Sequence, residues 1–407
     1  MVNQATTRPE AFGIDGPRLD RLGPWMERWV AAGKIPGGQA LVARRGEIVW
    51  HGCAGQRDVE NTVPWQPDTL ARIYSMTKPV TSVALMMLYE DGLCHLDDPV
   101  EAYLPEFRDM HVLRVNATAI DQTVPCETRP TLHHLLTHTS GLAYDFNDGV
   151  LAEAMQARKI NYGPTGSTIA ETVRQIAELP LAFQPGSRWT YGVSTDVLGR
   201  VVEVISGQSL DRFFAERIFE PLGMTDTAFS VPAGKIDRLA SCYARGEGDT
   251  MELFDPGRTS VFRDVTLLSG GGGLISTAAD YYTFTEMLRN RGALGDVCLL
   301  GSRTVGLMAS NALPGDLASM GQAVFSEVPF DGIGFGLGFA VMLDPARAQT
   351  LASVGDFGWG GLASTVFWVD PVEDMTVIFL TQLIPSSSYP LRKELRALVY
   401  SSLIDGA

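Results

Sequence analysis

The stretch YSMTKPV, residues 74–80, places Ser75 three residues before Lys78, just ahead of a helical pattern. The apolar residues that follow have the spacing of one buried helix face: Val80, Val83, Ala84, Met87 and Leu88. Pro79 is compatible with the first turn of a helix, where its missing N–H costs little. The stretch therefore predicts the start of a helix that carries Ser75 and Lys78 on one side, with their Cβ atoms about 5–6 Å apart.

A serine and a lysine in this arrangement are suited to nucleophilic catalysis. The start of a helix presents unpaired N–H groups and the positive end of the helix dipole, which stabilise negative charge on an attacked carbonyl. Desolvation near this positive charge favours the neutral amine that a lysine needs in order to accept a proton. Arginine could not take this role, because it does not lose its proton. We interpret Ser75 as a candidate nucleophile and Lys78 as a candidate base.

Coincidence is the alternative to a catalytic pair. With 24 serines and 5 lysines in 407 residues, chance predicts about 0.3 Ser-x-x-Lys matches. The match at Ser75 is the only one in the sequence, and it lies where a strand-rich segment meets a buried helix. The chain has 27 arginines, so an exposed cation here would more often be arginine. The placement therefore favours a catalytic pair.

The charge of the chain argues against polyanionic partners. The formal net charge is −15, and no run of five basic residues occurs, so a nucleic acid or an anionic membrane surface would be repelled. The N-terminus lacks the pattern of a signal peptide, and the apolar runs are too short to span a bilayer. Five widely spaced cysteines without a CxxC pair indicate free thiols in a reducing compartment. We predict a cytoplasmic protein without nucleic-acid or membrane partners.

Strand-like segments lie near both ends of the chain. Residues 37–52 are typical of two strands joined by a tight turn at Arg45-Gly46. Three more strands are indicated at 336–343, 363–371 and 375–382. Short turns between successive strands favour antiparallel pairing. We therefore expect one sheet built from both ends of the chain.

Helical patterns flank these strands and fill the middle of the chain. Residues 17–32 and 391–403 are predicted helices, and the periodic stretches between about 76 and 230 are mainly helical. The economical interpretation is an α/β domain formed by residues 1–75 and 270–407. A mainly helical domain, residues 76–269, is inserted into it, with the active site between the two.

The histidines exclude two classes of hydrolase. All six precede residue 139: His51, His95, His111, His133, His134 and His138. An α/β-hydrolase carries its histidine after the serine of a G-x-S-x-G turn, and this chain has no such turn. HHLLTH differs from the HExxH zinc motif and has no acidic ligand nearby, which favours helix-capping or core histidines over a metal site. A hydrolytic serine in this chain would therefore use a lysine, with a tyrosine as a further candidate.

Several ordered motifs resemble those of class C β-lactamases and their relatives. The matching segments are SMTK (75–78), LLTHTSGL (135–142), PGSRWTYGVSTDVLGRVVE (185–203), GGGGLISTAAD (270–280), GFGLGF (334–339) and WGG (359–361), which stands in place of Lys-Thr-Gly. The match covers about residues 35 to 385 and most resembles family VIII carboxylesterases. It implies a β-lactamase/transpeptidase-like fold of the α/β (α+β) class. In such a fold an antiparallel sheet is flanked by helices and joined by a mainly helical lobe.

The resemblance also implies the roles of individual residues. Ser75 would be the nucleophile, and Lys78 and Tyr191 would form the proton relay. Which of the two takes the serine proton stays open, because strongly coupled groups titrate as a unit. The backbone N–H groups of Ser75 and Leu362 would form the oxyanion hole. No metal or organic cofactor is implied.

The substrate contacts are expected at WGG and at one tyrosine. Trp359 would form a pocket wall, while Gly360 and Gly361 would let the backbone approach the acyl group, with an ordinary strand-edge turn as the alternative. Tyr144, shortly after THTSG, would line the same cleft unless it is a plain core or surface tyrosine. Val193 replaces the asparagine of the lactamase Tyr-x-Asn motif, and Trp359 replaces a lysine. Both changes favour an uncharged ester over an anionic lactam.

The predicted function is that of a serine carboxylesterase acting on a small-molecule ester. An acyltransferase, a weak β-lactamase or a D-aminopeptidase would use the same residues and remain alternatives. A catalytically silent binding protein is the third hypothesis, but such proteins usually lose a member of the serine, lysine and tyrosine set. Nothing in the sequence indicates an oligomeric state.

Overall fold

Both ends of the chain contribute strands to one eight-stranded antiparallel sheet. The computed structural model describes residues 8–321, 324–325 and 328–404. The strands are β1 (Gly37–Arg44), β2 (Glu47–Asp58), β3 (Val63–Pro64), β4 (Ala71–Arg72), β5 (His111–Leu113), β6 (Thr123–Pro125), β7 (Cys242–Arg245), β8 (Met251–Asp255), β9 (Ile275–Ser276), β10 (Ala293–Leu294), β11 (Val297–Cys298), β12 (Val324–Phe325), β13 (Val328–Pro329), β14 (Ile333–Phe335), β15 (Ala340–Met342), β16 (Phe357–Gly360), β17 (Val366–Asp370), β18 (Met375–Thr381) and β19 (Leu383–Ile384). The helices are α1 (Gly16–Leu19), α2 (Leu22–Ala31), α3 (Thr77–Glu90), α4 (Leu132–Leu136), α5 (Val150–Ala157), α6 (Ile169–Ala177), α7 (Ser194–Ser206), α8 (Leu210–Phe214), α9 (Glu220–Leu222), α10 (Ala278–Arg289), α11 (Ser302–Met308) and α12 (Leu391–Tyr400).

The sheet has the strand order β14-β15-β16-β17-β18-β1-β2-β3. The two ends of the chain meet at its centre, where β1 pairs with β18 in the register Gly38↔Thr381. The predicted hairpin is confirmed, since Arg45 and Gly46 connect β1 to β2 with φ of 54° and 82°. Positive φ at both turn positions matches the twist of the two strands.

Helices cover both faces of the sheet, and the central strands are therefore buried on both sides. On β18, Val377 and Phe379 pack with residues of α2 and α12, while Ile378 and Leu380 belong to the core under α10. Every residue of β1 and of β18 is buried. The helices predicted near the two ends of the chain are confirmed as α1 with α2 and as α12, which together cover one face.

Helix α3 is buried on all sides. Its residues from Thr77 to Leu88 are all buried, and it packs against α7. Buried polar groups of α3 find partners in neighbouring loops: Thr81 Oγ1, for example, donates a hydrogen bond to the Gly270 carbonyl at 2.7 Å. The apolar stripe that begins at Val80 is thus only part of the buried surface of this helix.

The strand predicted at 336–343 is wrong in its first half. The chain forms β14 and β15 instead, joined by a turn through Gly338, which has φ of 96°. A Cβ atom at position 338 would lie 2.2 Å from Ser82 Oγ on α3. The close approach of this turn to α3, rather than a strand pairing, explains Gly338 in GFGLGF.

The strands of the large sheet come from residues 37–64 and 333–381, and mainly helical segments lie between them. Helix α10 packs on β17 and β18. The domain boundaries at 75 and 270 themselves remain a prediction. Within the described residues, no helix has both the length and the apolar character needed to cross a bilayer.

Candidate active site

Ser75 lies in a short 3₁₀ turn, Tyr74–Met76, that leads directly into α3. The turn is anchored from a distant helix, because the Tyr281 hydroxyl donates a hydrogen bond to the Met76 carbonyl at 2.8 Å. Tyr74 has φ of 44°, an uncommon value for a residue with a side chain. Ser75 therefore lies two residues before α3 begins at Thr77, whereas Lys78 is the second residue of this helix.

The structure brings Ser75, Lys78 and Tyr191 together. The Tyr191 hydroxyl donates a hydrogen bond to Ser75 Oγ at 2.6 Å, and Lys78 Nζ lies 3.2 Å from the same oxygen. No imidazole is part of this cluster of contacts. The arrangement provides a hydroxyl nucleophile with two groups able to move its proton.

Lys78 is held by three oxygen atoms. Besides Ser75 Oγ, its Nζ donates to the Gly271 carbonyl at 2.7 Å and to the Tyr144 hydroxyl at 3.0 Å. The nitrogen also lies 4.6 Å from the ring centroid of Tyr191. Since the side chain of Lys78 is buried, with 2% exposed, these contacts orient it towards the serine.

Tyr191 reaches the site from the loop before α7, and aromatic side chains surround it. The rings of Trp359 and Trp189 lie 5.4 Å and 6.3 Å from its ring. Helix α7 starts at Ser194. The buried Ser194 hydroxyl is hydrogen-bonded to Ser140 Oγ at 2.9 Å.

The turn after β16 lies against the backbone that leads to Ser75. The Gly361 N–H donates to the Thr365 carbonyl at 2.9 Å and closes this turn around Leu362. A Cβ atom at position 361 would lie 2.3 Å from the Ile73 carbonyl oxygen, so glycine is needed for the approach. Ser75 and Leu362 line one cavity. The oxyanion hole formed by their N–H groups remains a prediction that this proximity supports.

Strand β16 has a partly free edge. β15 pairs with Phe357 and Gly358 only, and the next residues, Trp359 and Gly360, extend past it and line the cavity. Position 360 leaves little room for a side chain, since a Cβ atom there would lie 2.5 Å from Arg392 Nη2.

A cavity of about 750 Å³ opens over Ser75. Its lining is mainly aromatic and aliphatic, and the largest side chains in it include Phe146, Tyr162, Phe254, Phe262, Phe330 and Trp359. Phe146 and Phe254 are each 59% exposed at the rim of this cavity. Tyr144 also lines it, and its hydroxyl accepts a hydrogen bond from Lys78. The sequence offered no signal for Phe146 or Phe254, because neither stands in a recognisable motif.

Two of the six histidines, His134 and His138, have structural positions. His134 is part of a capping box with Thr131 at the start of α4. His138 is buried, and its ring lies 5.2 Å from that of Tyr191. Burial, and then the charge of Lys78, hold the pKa of His138 well below its ordinary value. In the described part of the chain no cluster of three or more His, Cys, Asp or Glu side chains could hold a metal ion.

Comparison with known proteins identifies the family. The Beta-lactamase family model matches residues 24–401. Esterase EstB of Burkholderia gladioli is 32% identical over 428 aligned positions, which cover 98% of this chain and 100% of EstB.

Two solved structures have a similar fold. EstCE1, described as a hydrolase with promiscuous acyltransferase activity, gives a TM-score of 0.80 at 27% identity, covering 95% of this chain and 99% of EstCE1. Simvastatin synthase LovD of Aspergillus terreus also gives 0.80 at 27% identity, covering 96% of this chain and 99% of LovD. These similarities confirm the fold and the resemblance that the motifs indicated. The chain therefore belongs to the β-lactamase family and is a serine hydrolase of that fold.

Proposed function

We propose that the protein is a carboxylesterase that forms an acyl-enzyme on Ser75. The observation that carries this proposal is the position of Ser75 Oγ, within hydrogen-bonding distance of both Tyr191 and Lys78 and at the base of a largely apolar cavity. The similarity to Esterase EstB supports an ester as the substrate.

In the proposed acylation step, Ser75 Oγ attacks the carbonyl carbon of the ester. Its proton passes to the pair formed by Lys78 and Tyr191, and the oxyanion is stabilised by the N–H groups of Ser75 and Leu362. The C–O bond to the alcohol then breaks, and the alcohol leaves with the proton held by the pair. Water attacks the acyl-enzyme in the same way, which releases the carboxylic acid and restores Ser75. This sequence uses no metal or organic cofactor.

The preferred substrate is an uncharged ester with a bulky apolar group. Trp359 stands where a lysine would attract a carboxylate, and its ring packs on Tyr191. The aromatic lining of the cavity stabilises apolar groups by removing them from water, at about 25 cal/mol per Å² of buried apolar surface. An anionic lactam would gain less from such a site than a neutral ester would.

Replacement of Ser75 by Ala tests the proposal. The variant should lose hydrolysis of p-nitrophenyl esters while keeping its thermal unfolding transition. A fluorophosphonate probe should add its mass to the peptide containing Ser75 in the wild type only. Ser187→Ala, at an exposed serine outside the cavity, is the matched control and should retain full activity. Full activity of Ser75→Ala, or no adduct on the native wild type, would refute the proposal.

Acyl transfer to an alcohol is the second candidate function. It is favoured by the similarity to simvastatin synthase LovD and to EstCE1, since the same acyl-enzyme can react with an alcohol in place of water. Product analysis with a competing alcohol separates the two functions. A new ester formed in excess of the free acid would identify a transferase.

A further inference from the structure

The glycine run 270–273 forms a loop that fits closely over Asp196. This aspartate is the third residue of α7 and only 3% exposed. A Cβ atom at position 271 would lie 2.4 Å from Asp196 Oδ2. The loop therefore approaches the carboxylate more closely than any residue with a side chain would allow.

The carboxylate of Asp196 holds this loop by hydrogen bonds. Ser269 Oγ donates to Asp196 Oδ1 at 2.5 Å, and the Gly271 N–H donates to the same oxygen at 3.0 Å. On the other side of the same residue, the Gly271 carbonyl accepts a hydrogen bond from Lys78 Nζ at 2.7 Å. Gly271 thus connects the buried carboxylate of Asp196 to Lys78 through its N–H and its carbonyl.

A second connection runs through Tyr144. Its hydroxyl accepts a hydrogen bond from Lys78 Nζ at 3.0 Å, and the charge of Asp196 acts on the same phenol. Burial, and then the negative charge of Asp196, raise the pKa of Tyr144 well above its ordinary value. Tyr144 therefore stays a neutral phenol whose oxygen accepts the hydrogen bond from Lys78.

The charge of Asp196 has no direct counter-ion. In the described part of the chain, no ion pair includes Asp196 or Lys78. A buried carboxylate without a cation in contact is costly compared with a neutral amide of the same shape. A purely structural support for the loop would not need this charge.

We propose that Asp196 is a positioning residue for catalysis. Through Gly271 it holds Lys78 Nζ against Ser75, and its negative charge sets the electrostatic environment of Lys78 and Tyr144. This inference rests on the proposed function, because it assigns Lys78 to the activation of Ser75. It gives the GGGG segment a role as the support of the catalytic lysine.

Replacement of Asp196 by Asn removes the charge and keeps the shape. We expect kcat for p-nitrophenyl acetate to fall at least tenfold while KM changes less than threefold, because the effect is on chemistry rather than on substrate binding. The charge of Asp196 acts on Tyr144 and Tyr162 in the cavity wall, and Lys78 on α3 is connected to Asp196 through Gly271. Loss of a neighbouring negative charge makes proton loss from such groups easier. The acid limb of the pH–rate profile should therefore move to lower pH.

Asp280→Asn is the matched control. Asp280 is also the third residue of its helix, α10, and is 9% exposed. It accepts a backbone N–H from Asp226 at 2.7 Å and a hydroxyl from Thr227 at 2.9 Å, but it does not line the cavity. This variant should lose stability to a similar extent and keep the wild-type kcat and pH profile.

The rate of Ser75 labelling by a fluorophosphonate separates this inference from the proposed function. In that reaction an O–P bond forms, fluoride leaves and the relay takes the serine proton, so no ester substrate is needed. Labelling at least tenfold slower in Asp196→Asn would support the inference even if no ester were hydrolysed by the wild type. Ser269→Ala removes one hydrogen-bond donor to Asp196 and should slow the labelling of Ser75 to a smaller extent. This variant replaces Asp196→Asn in the test if Asp196→Asn does not fold. A folded Asp196→Asn protein with the labelling rate and pH profile of the wild type would overturn the inference. If only Ser269→Ala folds, the same result in that variant would overturn it.

Discussion

The hydroxyl of Tyr191 donates a hydrogen bond to Ser75 Oγ at 2.6 Å, although the two residues are 116 positions apart in the chain. Lys78 reaches the same oxygen from only three positions away, at 3.2 Å. Local helix geometry thus places Lys78 beside the nucleophile, whereas the folding of distant segments places Tyr191 there. Substitutions can test the residues of this site and the lining of the cavity separately.

Replacement of Lys78 by Arg should lower kcat for p-nitrophenyl acetate by about 10²–10⁴-fold, the usual contribution of a general base. The positive charge is retained, but a guanidinium does not accept a proton at neutral pH. Steady-state kcat and KM are the measurements. Lys159→Arg, at an exposed lysine outside the cavity, should behave as the wild type. Normal turnover by a folded Lys78→Arg enzyme would rule out Lys78 as the base.

Replacement of Gly361 by Ala should impair both stability and activity. The new methyl group would lie 2.3 Å from the Ile73 carbonyl oxygen and 2.3 Å from Thr365 Oγ1, so the turn has to shift. Overpacking of this kind typically costs about 1–3 kcal/mol of unfolding free energy. Because the turn carries Leu362, kcat should also fall, by up to about 10²–10³-fold if the oxyanion donor is lost. Chemical denaturation and steady-state kinetics measure the two effects.

Gly306→Ala is the control for this substitution. Position 306 lies within α11, and no atom lies within 4 Å of a Cβ atom built there. Alanine at such a helical site should raise the free energy of unfolding by up to about 1 kcal/mol. If Gly361→Ala were as stable and as active as Gly306→Ala, the close approach of the turn to Ile73 would be unimportant.

Replacement of Phe254 by Ser should change the preference for acyl chain length. Phe254 is 59% exposed and lines the cavity, so a long acyl chain can cover it. Loss of an apolar contact of about 1 kcal/mol should lower kcat/KM for p-nitrophenyl octanoate roughly fivefold relative to the acetate. Leu253→Ser alters the preceding residue of β8, which is 42% exposed and does not line the cavity. An identical ratio in the two variants would exclude contact between Phe254 and the acyl chain.

Asp316 should make the stability of the protein dependent on acid pH. Burial alone would raise the pKa of Asp316, but the N–H groups of Ser319 and Gly332 and the charge of Arg347 outweigh it and lower the pKa to about 2. A carboxyl with a lowered pKa stabilises the fold above its ordinary value of 3.8, and the stabilisation is lost as the pH falls towards the folded-state pKa. Linkage predicts that the lowered pKa of Asp316 adds about 2 kcal/mol to the free energy of unfolding at pH 5 and about 1 kcal/mol at pH 3.

Guanidinium unfolding of the wild type and of Asp316→Asn at these two pH values measures the contribution of Asp316. The difference in unfolding free energy between the two proteins should shrink by about 1 kcal/mol from pH 5 to pH 3. A difference that stayed constant with pH would mean that the carboxyl titrates alike in the folded and unfolded chains.

Local sequence patterns were sufficient to predict several elements of the structure. The start of α3, the Arg45-Gly46 turn and α12 each follow from residues that are close in sequence, because helix periodicity and turn dihedral angles involve near neighbours only. The prediction at 336–343 failed for the opposite reason. Gly338 lies against Ser82 of α3, and such a contact leaves no mark on the alternation of a strand.

The sequence by itself determined that Ser75 and Lys78 meet, since residues three apart at a helix start lie on one side whatever the rest of the chain does. Tyr191 could be chosen among 11 tyrosines only through the resemblance of its motif. Only the tertiary structure decided that Tyr144 and Asp196 join the same network and that Phe254 lines the cavity. These contacts depend on how distant segments pack, and packing is fixed by the shape and burial of the whole core rather than by any local pattern.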